Sequence, residues 1–217
     1  MIVCLGAGLT STDGHVVETT YDSRNLGAAG SQRLIVDGNV QPAALNTTGR
    51  FKEAKWARLD GFGGYLFLDG REVIARREER TGSWRDVDDA GAADPVTRRY
   101  LTLYRSHGTN PKDSGYAYAV MPGAKTGEVR ASVGKVKVLA NTPERQAVRI
   151  GDVFAANFFA PGSTGGLRVS APCSVLIRGA SIYVADPGHQ ASKVDVTWQG
   201  NTRTVNLAGM AGVTVKL

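Results

Sequence analysis

Two cysteines in 217 residues, Cys4 and Cys173, are too few for a disulfide framework. They sit in the apolar settings IVCLG and APCSVLI. Two readings stand: one bridge closing a very long loop, or two small buried hydrophobes. No cysteine–histidine cluster has zinc spacing, and neither a metal nor a cofactor is expected. No apolar run approaches the length that spans a bilayer, so no membrane partner is expected. Helix-length stretches are missing too. The chain is broken by 27 glycines and eight prolines, and no interval keeps a convincing 3.6-residue apolar period. It has no Arg/Lys-rich tail or basic helix, which speaks against nucleic acid. The N-terminal MIVCLGAGL lacks the charged start and long apolar stretch of a secretory leader. It opens inside what reads as a core strand; natural domains seldom begin that way, so a truncation is expected.

What the chain does have is β character. KVDVTW alternates, with Val194, Val196 and Trp198 on one side, and VTVKL repeats the pattern with Val213, Val215 and Leu217. HVVETTYDSR and GKVKVLA are rich in β-branched residues, and VDGN and LDGR place Asp-Gly between strand-like runs, a tight-turn signal. ADPVTRRYLTLYRSHG opens like a helix at Asp94-Pro95, yet its alternating Tyr and Leu predict a strand. FKEAKWARL is either a single helical turn or the lead-in to a strand. Short strands punctuated this often predict an all-β chain of antiparallel sandwich architecture. A break at LANTPERQAV divides it into residues 1–138, rich in aromatic strands, and a smaller sandwich over 139–217.

The formal net charge is +6, with a pI near 9.5. Two readings stand: an acidic partner, or a basic protein without one. HGTNPKDSGYAYAVMP, residues 107–122, sets His107 near Tyr116 and Tyr118, residues that often transfer protons. Its Gly108, Asn110 and Pro111 supply turn chemistry, and the two tyrosines share one side of a strand. Asp86, Asp88 and Asp89 lack the rest of a calcium-loop pattern. Asn46-Thr47-Thr48 is a glycosylation sequon by pattern only.

Six stretches in order, VCLGAGLTS, VETTYDSRNL, EERTGSWRDVD, YLTLYRSHGTNP, YAYAVMP and LANTPERQAVR, resemble the non-catalytic half of polysaccharide lyase family 8. FAANFFAPGSTGGLRVSAPCSVLIRG resembles the small C-terminal β domain of the same enzymes. The resemblance implies part of a large super-sandwich followed by a small sandwich, in extracellular enzymes that cleave hyaluronan, chondroitin or xanthan by β-elimination. It also implies that the catalytic Asn, His, Tyr and Arg belong to a preceding helical domain. An assisting Glu belongs to a motif upstream of Met1. By that resemblance no residue of this chain is catalytic, and the chain is expected to be inactive without the helical domain as partner. In family terms His107-Gly108 with Pro111 is a turn between two long strands.

For substrate contact the candidates are Arg80, Ser83, Trp84 and His107. Arginine grips carboxylates in two-pronged fashion, and tryptophan offers a flat apolar face. The competing reading buries Trp84 in the core of a hairpin. Three functions follow: a scaffold and cleft-wall portion of a lyase, a free-standing carbohydrate-binding module, or a self-sufficient enzyme.

Overall fold

Alternation along Val96–Thr109 organises the first half of the computed structural model, which describes residues 1–217. The strands of that half are β1 (Ile2–Leu9), β2 (Val16–Asn25), β3 (Leu34–Val36), β4 (Asn39–Val40) and β5 (Thr47–Phe51). There follow β6 (Trp56–Leu59), β7 (Gly63–Phe67), β8 (Val73–Gly82), β9 (Val96–Thr109) and β10 (Ser114–Pro122). One sheet runs β1-β10-β7-β6-β3-β4 and the other β2-β9-β8-β5. Leu101 and Leu103 of β9, with Val73 and Ala75 of β8, enter a core shared with Leu34, Leu59, Tyr65 and Phe67. The architecture is all-β and antiparallel, as the pattern predicts.

A single α-helix, α1 (Thr126–Ser132), follows β10 and buries Val129 against β6 and β7. Its seven residues are too short to show a period, which is why the sequence concealed it. The run FKEAKWARL is strand and turn: β5 ends at Phe51 and β6 begins at Trp56.

The two Asp-Gly turns differ. Asp37-Gly38 joins β3 to β4 as a tight hairpin, with φ of 47° and 91°, the left-handed pair such turns require. Asp69-Gly70 carries the chain from β7 in one sheet to β8 in the other. Local turn chemistry is the same in both; the choice of partner strand is not local. His107 also departs from its expected place. It lies within β9, at a bulge where β2 pairs Val17 with Gly108 and Glu18 with Ser106, and the turn comes later, after Thr109.

The second half contributes β11 (Val136–Thr142), β12 (Arg145–Ile150), β13 (Val153–Phe158), β14 (Gly162–Thr164) and β15 (Leu167–Val169). After them come β16 (Cys173–Arg178), β17 (Ser181–Ala185), β18 (Lys193–Trp198), β19 (Asn201–Asn206) and β20 (Val215–Lys216). Sheets β11-β12-β13-β16-β17-β20 and β14-β15-β18-β19 enclose Phe154, Ile177, Val184, Leu167, Val194 and Val196. Trp198 packs on Phe154 with ring centroids 5.5 Å apart. The C-terminal strand is shorter than its alternation suggests, and Val213 is exposed.

The compact units interleave along the chain. One comprises Met1–Cys4, Thr10–Lys112 and Tyr118–Val133; the other comprises Leu5–Leu9, Asp113–Ala117 and Gly134–Leu217. Within the second, the Asn141 amide donates to the carbonyls of Gly6 (3.1 Å) and Tyr116 (3.0 Å). Asp186 pins the turn after β17 by accepting the backbone N–H groups of Gly188, Gln190 and Ala191 at 2.6–2.9 Å. Those bonds hold its carboxyl below the usual range. Both cysteines are free thiols: Cys173 is buried, which pushes its thiol up to about 12, and Cys4 is half-buried.

In the first unit, the Tyr65 hydroxyl donates to Asp22, which also takes a bond from Arg24 at 2.8 Å. Tyr65 is buried, so Tyr65→Phe should strand part of that carboxylate and lower stability by about 1–3 kcal/mol. Urea denaturation of the variant checks this; an unchanged midpoint would show that the bond contributes nothing net.

Candidate functional site

With Leu101 and Leu103 turned inward, Tyr100, Thr102 and Tyr104 face the other way. Register brings Arg76, Glu78 and Arg80 of β8 opposite Thr102, Tyr100 and Arg98 of β9. The Arg76 guanidinium lies 5.4 Å from the Tyr104 ring centroid, and that of Arg80 lies 4.7 Å from Tyr100. Glu78 sits between them, accepting from Arg80 Nε at 3.0 Å and lying 3.4 Å from Arg76 Nε. At one end Ile74, Thr102 and Tyr104 are buried; toward the β8–β9 turn Arg80 and Arg98 are exposed. The face therefore grades from closed to open.

The β8–β9 turn is built on a 3-10 turn, Trp84–Asp86. Its backbone folds onto the Trp84 carbonyl, which accepts from Val87 (3.2 Å) and Asp88 (3.0 Å). The Ser83 N–H donates to the Asp86 carboxylate at 2.6 Å, and the Arg85 N–H to Ala92 O at 3.1 Å. Gly91 closes the loop where a Cβ would lie 2.6 Å from the Trp84 carbonyl carbon, so only glycine fits. The Trp84 backbone is held, yet the residue is 67 % exposed, as is Val87 at 79 %. This overturns the core-packing reading of Trp84. Asp86 and Asp88 spend their carboxylates on loop N–H groups of Ser83 and Ala90.

Arg80, Ser83 and Trp84 thus share one end of the β8–β9 hairpin. His107 does not join them. Arg98 stands opposite Arg80, and His107 lies nine residues further along β9, about 30 Å in an extended strand. Around His107 is a separate polar cluster, with Thr19 Oγ1 2.7 Å from Nε2 and Arg105 bound to Asp69 at 2.9 Å. Burial lowers the His107 pKa, Arg105 lowers it further, and Asp69 opposes. Tyr21 borders the cluster: its hydroxyl is buried, and burial, then Asp69, raise its pKa. Tyr21 packs at a tilt against the rings of Tyr118 (centroids 4.7 Å apart) and Phe67 (5.3 Å), so the expected aromatic packing of Tyr118 crosses strands from both sheets.

Sequence reasoning missed Arg76, Arg98, Tyr100 and Tyr104 as companions of Arg80. The signal was present: alternation in YLTLY with leucines assigned to the core leaves the tyrosines on the face that RREER shares.

Comparison with known proteins gives this geometry a context. The model of the polysaccharide lyase family 8 super-sandwich domain matches residues 1–133, and that of the family's C-terminal beta-sandwich domain matches residues 137–195. A hyaluronate lyase of Thermasporomyces composti is 46% identical over 206 residues, covering 91% of this chain and 26% of that protein. The xanthan lyase structure from Paenibacillus superposes with a TM-score of 0.89 at 26% identity, covering 99% of this chain and 24% of the other. The Streptomyces coelicolor A3 chondroitin AC lyase in complex with chondroitin sulphate gives a TM-score of 0.81 at 31% identity, covering 99% and 30%. The chain spans about a quarter of the length of the curated relatives it matches.

His107 yields a pH prediction. Its folded pKa lies below its unfolded value of about 6.5, so the unfolded chain takes the proton more readily. Its stabilising share is full above that pH and is lost as pH falls below it. The stability difference between wild type and His107→Gln should therefore shrink from about pH 7.5 to about pH 5.5. Parallel curves over that window would rule out a depressed His107.

Proposed function

The chain belongs to polysaccharide lyase family 8, and on that premise we propose that it is the β-sandwich portion of an extracellular lyase that cleaves hyaluronan or chondroitin by β-elimination. Its own residues serve as scaffold and cleft wall, and a helical lyase region supplies the proton-transfer groups. The observation that carries this reading is the exposed Trp84, on a loop with a hydrogen-bonded backbone, at the end of the hairpin that carries Arg80 and the arginine–tyrosine rows.

An acidic polysaccharide presents carboxylates and the C–H faces of its sugar rings. Arg80 and Arg98 match the first in charge, and the guanidinium fork suits a carboxylate. Trp84 matches the second, with an indole N–H left over for a hydroxyl. Because the tip is pre-ordered by backbone bonds, little conformational entropy is lost when a sugar docks. His107 is assigned no part in this contact, because it lies at the far end of β9.

A second reading, a free-standing carbohydrate-binding module, draws on the same tip: a pre-ordered platform binds sugar whether or not chemistry follows. Two measurements separate the readings. Incubation of the purified chain with hyaluronan, chondroitin sulfate and xanthan, followed by ultraviolet absorbance of the unsaturated uronate product, should give no signal. Adding the helical region of a family member should restore product if the chain is a lyase portion and leave none if it is a module. Trp84→Ala and Arg80→Gln should each weaken salt-sensitive binding of hyaluronan oligosaccharides about five- to tenfold. Product from the chain alone would overturn the scaffold role, and unchanged binding by Trp84→Ala would remove the tip from it.

A further inference from the structure

Among the buried residues of the first unit, Arg77 is the only charged one. Its place follows from strand register. Arg77 stands opposite Thr47 on β5 and Leu101 on β9, and Ala75 stands opposite Gly49 and Leu103. Directly opposed residues share a face. Ala75, Leu101 and Leu103 belong to the core between the two sheets, so Arg77 points between the sheets as well. Burial lowers its pKa, and no nearby charge opposes that effect. The next carboxylate on this face, Glu79, is taken by Arg99 at 2.8 Å.

Only two of the Arg77 N–H groups are used, on the carbonyls of Gly30 and Gln32. The others have no acceptor within the protein. Arg77 also lines a cavity of about 180 Å³ at the open edge of the sandwich, and it is the only charged group there. Leu34, Phe51, Ala75 and Leu101 form its apolar walls. Gly49 keeps the space free, since a Cβ at that position would lie 2.9 Å from the Phe51 ring. Pro42, Thr47 and Thr48, all exposed, form the mouth. An apolar cavity of roughly 150 Å³ holds benzene, so a single six-membered ring with a small substituent fits this one.

We propose that this cavity is a binding site for a small organic carboxylate with a compact apolar body, an aromatic or branched short-chain acid. Its carboxylate takes the free N–H groups of Arg77, and its body lies against Leu34, Phe51 and Leu101. A buried cation without a counter-charge is unfavourable, and an entering carboxylate supplies both the charge and the acceptors. Phosphate or sulfate would match the charge but leave the apolar walls unused. A neutral hydrocarbon would match the walls but leave the donors unmet. Clamping residues 30–32 explains an arginine at this position, but it needs neither the free donors nor the hollow opposite Gly49. The site shares no residue with the Trp84 end of the hairpin, and Arg77 faces away from the side that carries Arg76, Glu78 and Arg80.

The test titrates benzoate into the full chain and follows backbone amide chemical shifts, with benzamide as the neutral isostere. Benzoate should bind saturably and shift the amides of residues 47–51 and 75–77 most. Benzamide should bind about tenfold more weakly or worse. Arg77→Lys keeps the charge but loses the planar fork, and should weaken benzoate about fivefold. Thr47→Phe, at the exposed mouth, should fill the cavity and abolish saturable binding while leaving Arg77 in place. The thermal unfolding midpoint checks that each variant folds; should Arg77→Lys unfold, the benzoate-to-benzamide ratio and Thr47→Phe still decide. No saturation with wild type would overturn the site, as would unchanged binding by Thr47→Phe or shifts centred elsewhere. Equal binding of benzamide would remove Arg77 from recognition, and inorganic phosphate competing as well as benzoate would overturn the ligand class.

Discussion

The first unit depends on the burial of Leu101 and Leu103 against the facing sheet. Each is nearly free of solvent, and each contributes about 1.5–3 kcal/mol by leaving water. Because successive side chains of a strand point to opposite faces, burying the leucines also fixes where Tyr100, Thr102 and Tyr104 go. A slip of one residue in β9 would send the tyrosines inward and the leucines to solvent. The arginine–tyrosine rows are therefore held in place by the core rather than by contacts of their own.

Charged groups inside this unit are managed in two ways. Arg77, 3 % exposed, has no carboxylate partner; its guanidinium donates to the carbonyls of Gly30 (2.6 Å) and Gln32 (2.8 Å), and burial lowers its pKa. It fastens the segment between β2 and β3 through charge-assisted bonds. Arg105 and Asp69 instead form a mostly buried pair, and Asp69 stands where the chain changes sheet. Such pairs add little net stability but make wrong arrangements costly, since either charge alone would be stranded. The second unit, with unpaired cations at its surface, has spent none of its charge this way.

At the end of the β8–β9 hairpin, Trp84 is exposed on a loop whose hydrogen bonds are satisfied by its own backbone.

Much was legible from residue order alone. Alternation in KVDVTW and YLTLYR, and the β-branched residues of HVVETTYDSR, marked these segments as strands; in KVDVTW a period of two also put Val194 and Val196 on the buried side, because it leaves one face apolar whatever the partner. Asp37-Gly38 and Asp69-Gly70 were both legible as tight turns, since Asp-Gly readily adopts a left-handed backbone. The exposure of Trp84 was not legible: it follows from loop bonds to Ala92 and Gly91, and indole hydrophobicity by itself argues for burial. Nor was the fate of Asp69-Gly70, or the distance between His107 and Arg80. The sequence by itself determined the all-β class, the strand faces and the family. Only the tertiary structure decided which strands became neighbours, which polar residues met, and which arginines were left unpaired. The reason is that local chemistry sets the conformation of each segment, whereas strand pairing and charge neutralisation depend on groups that are distant along the chain.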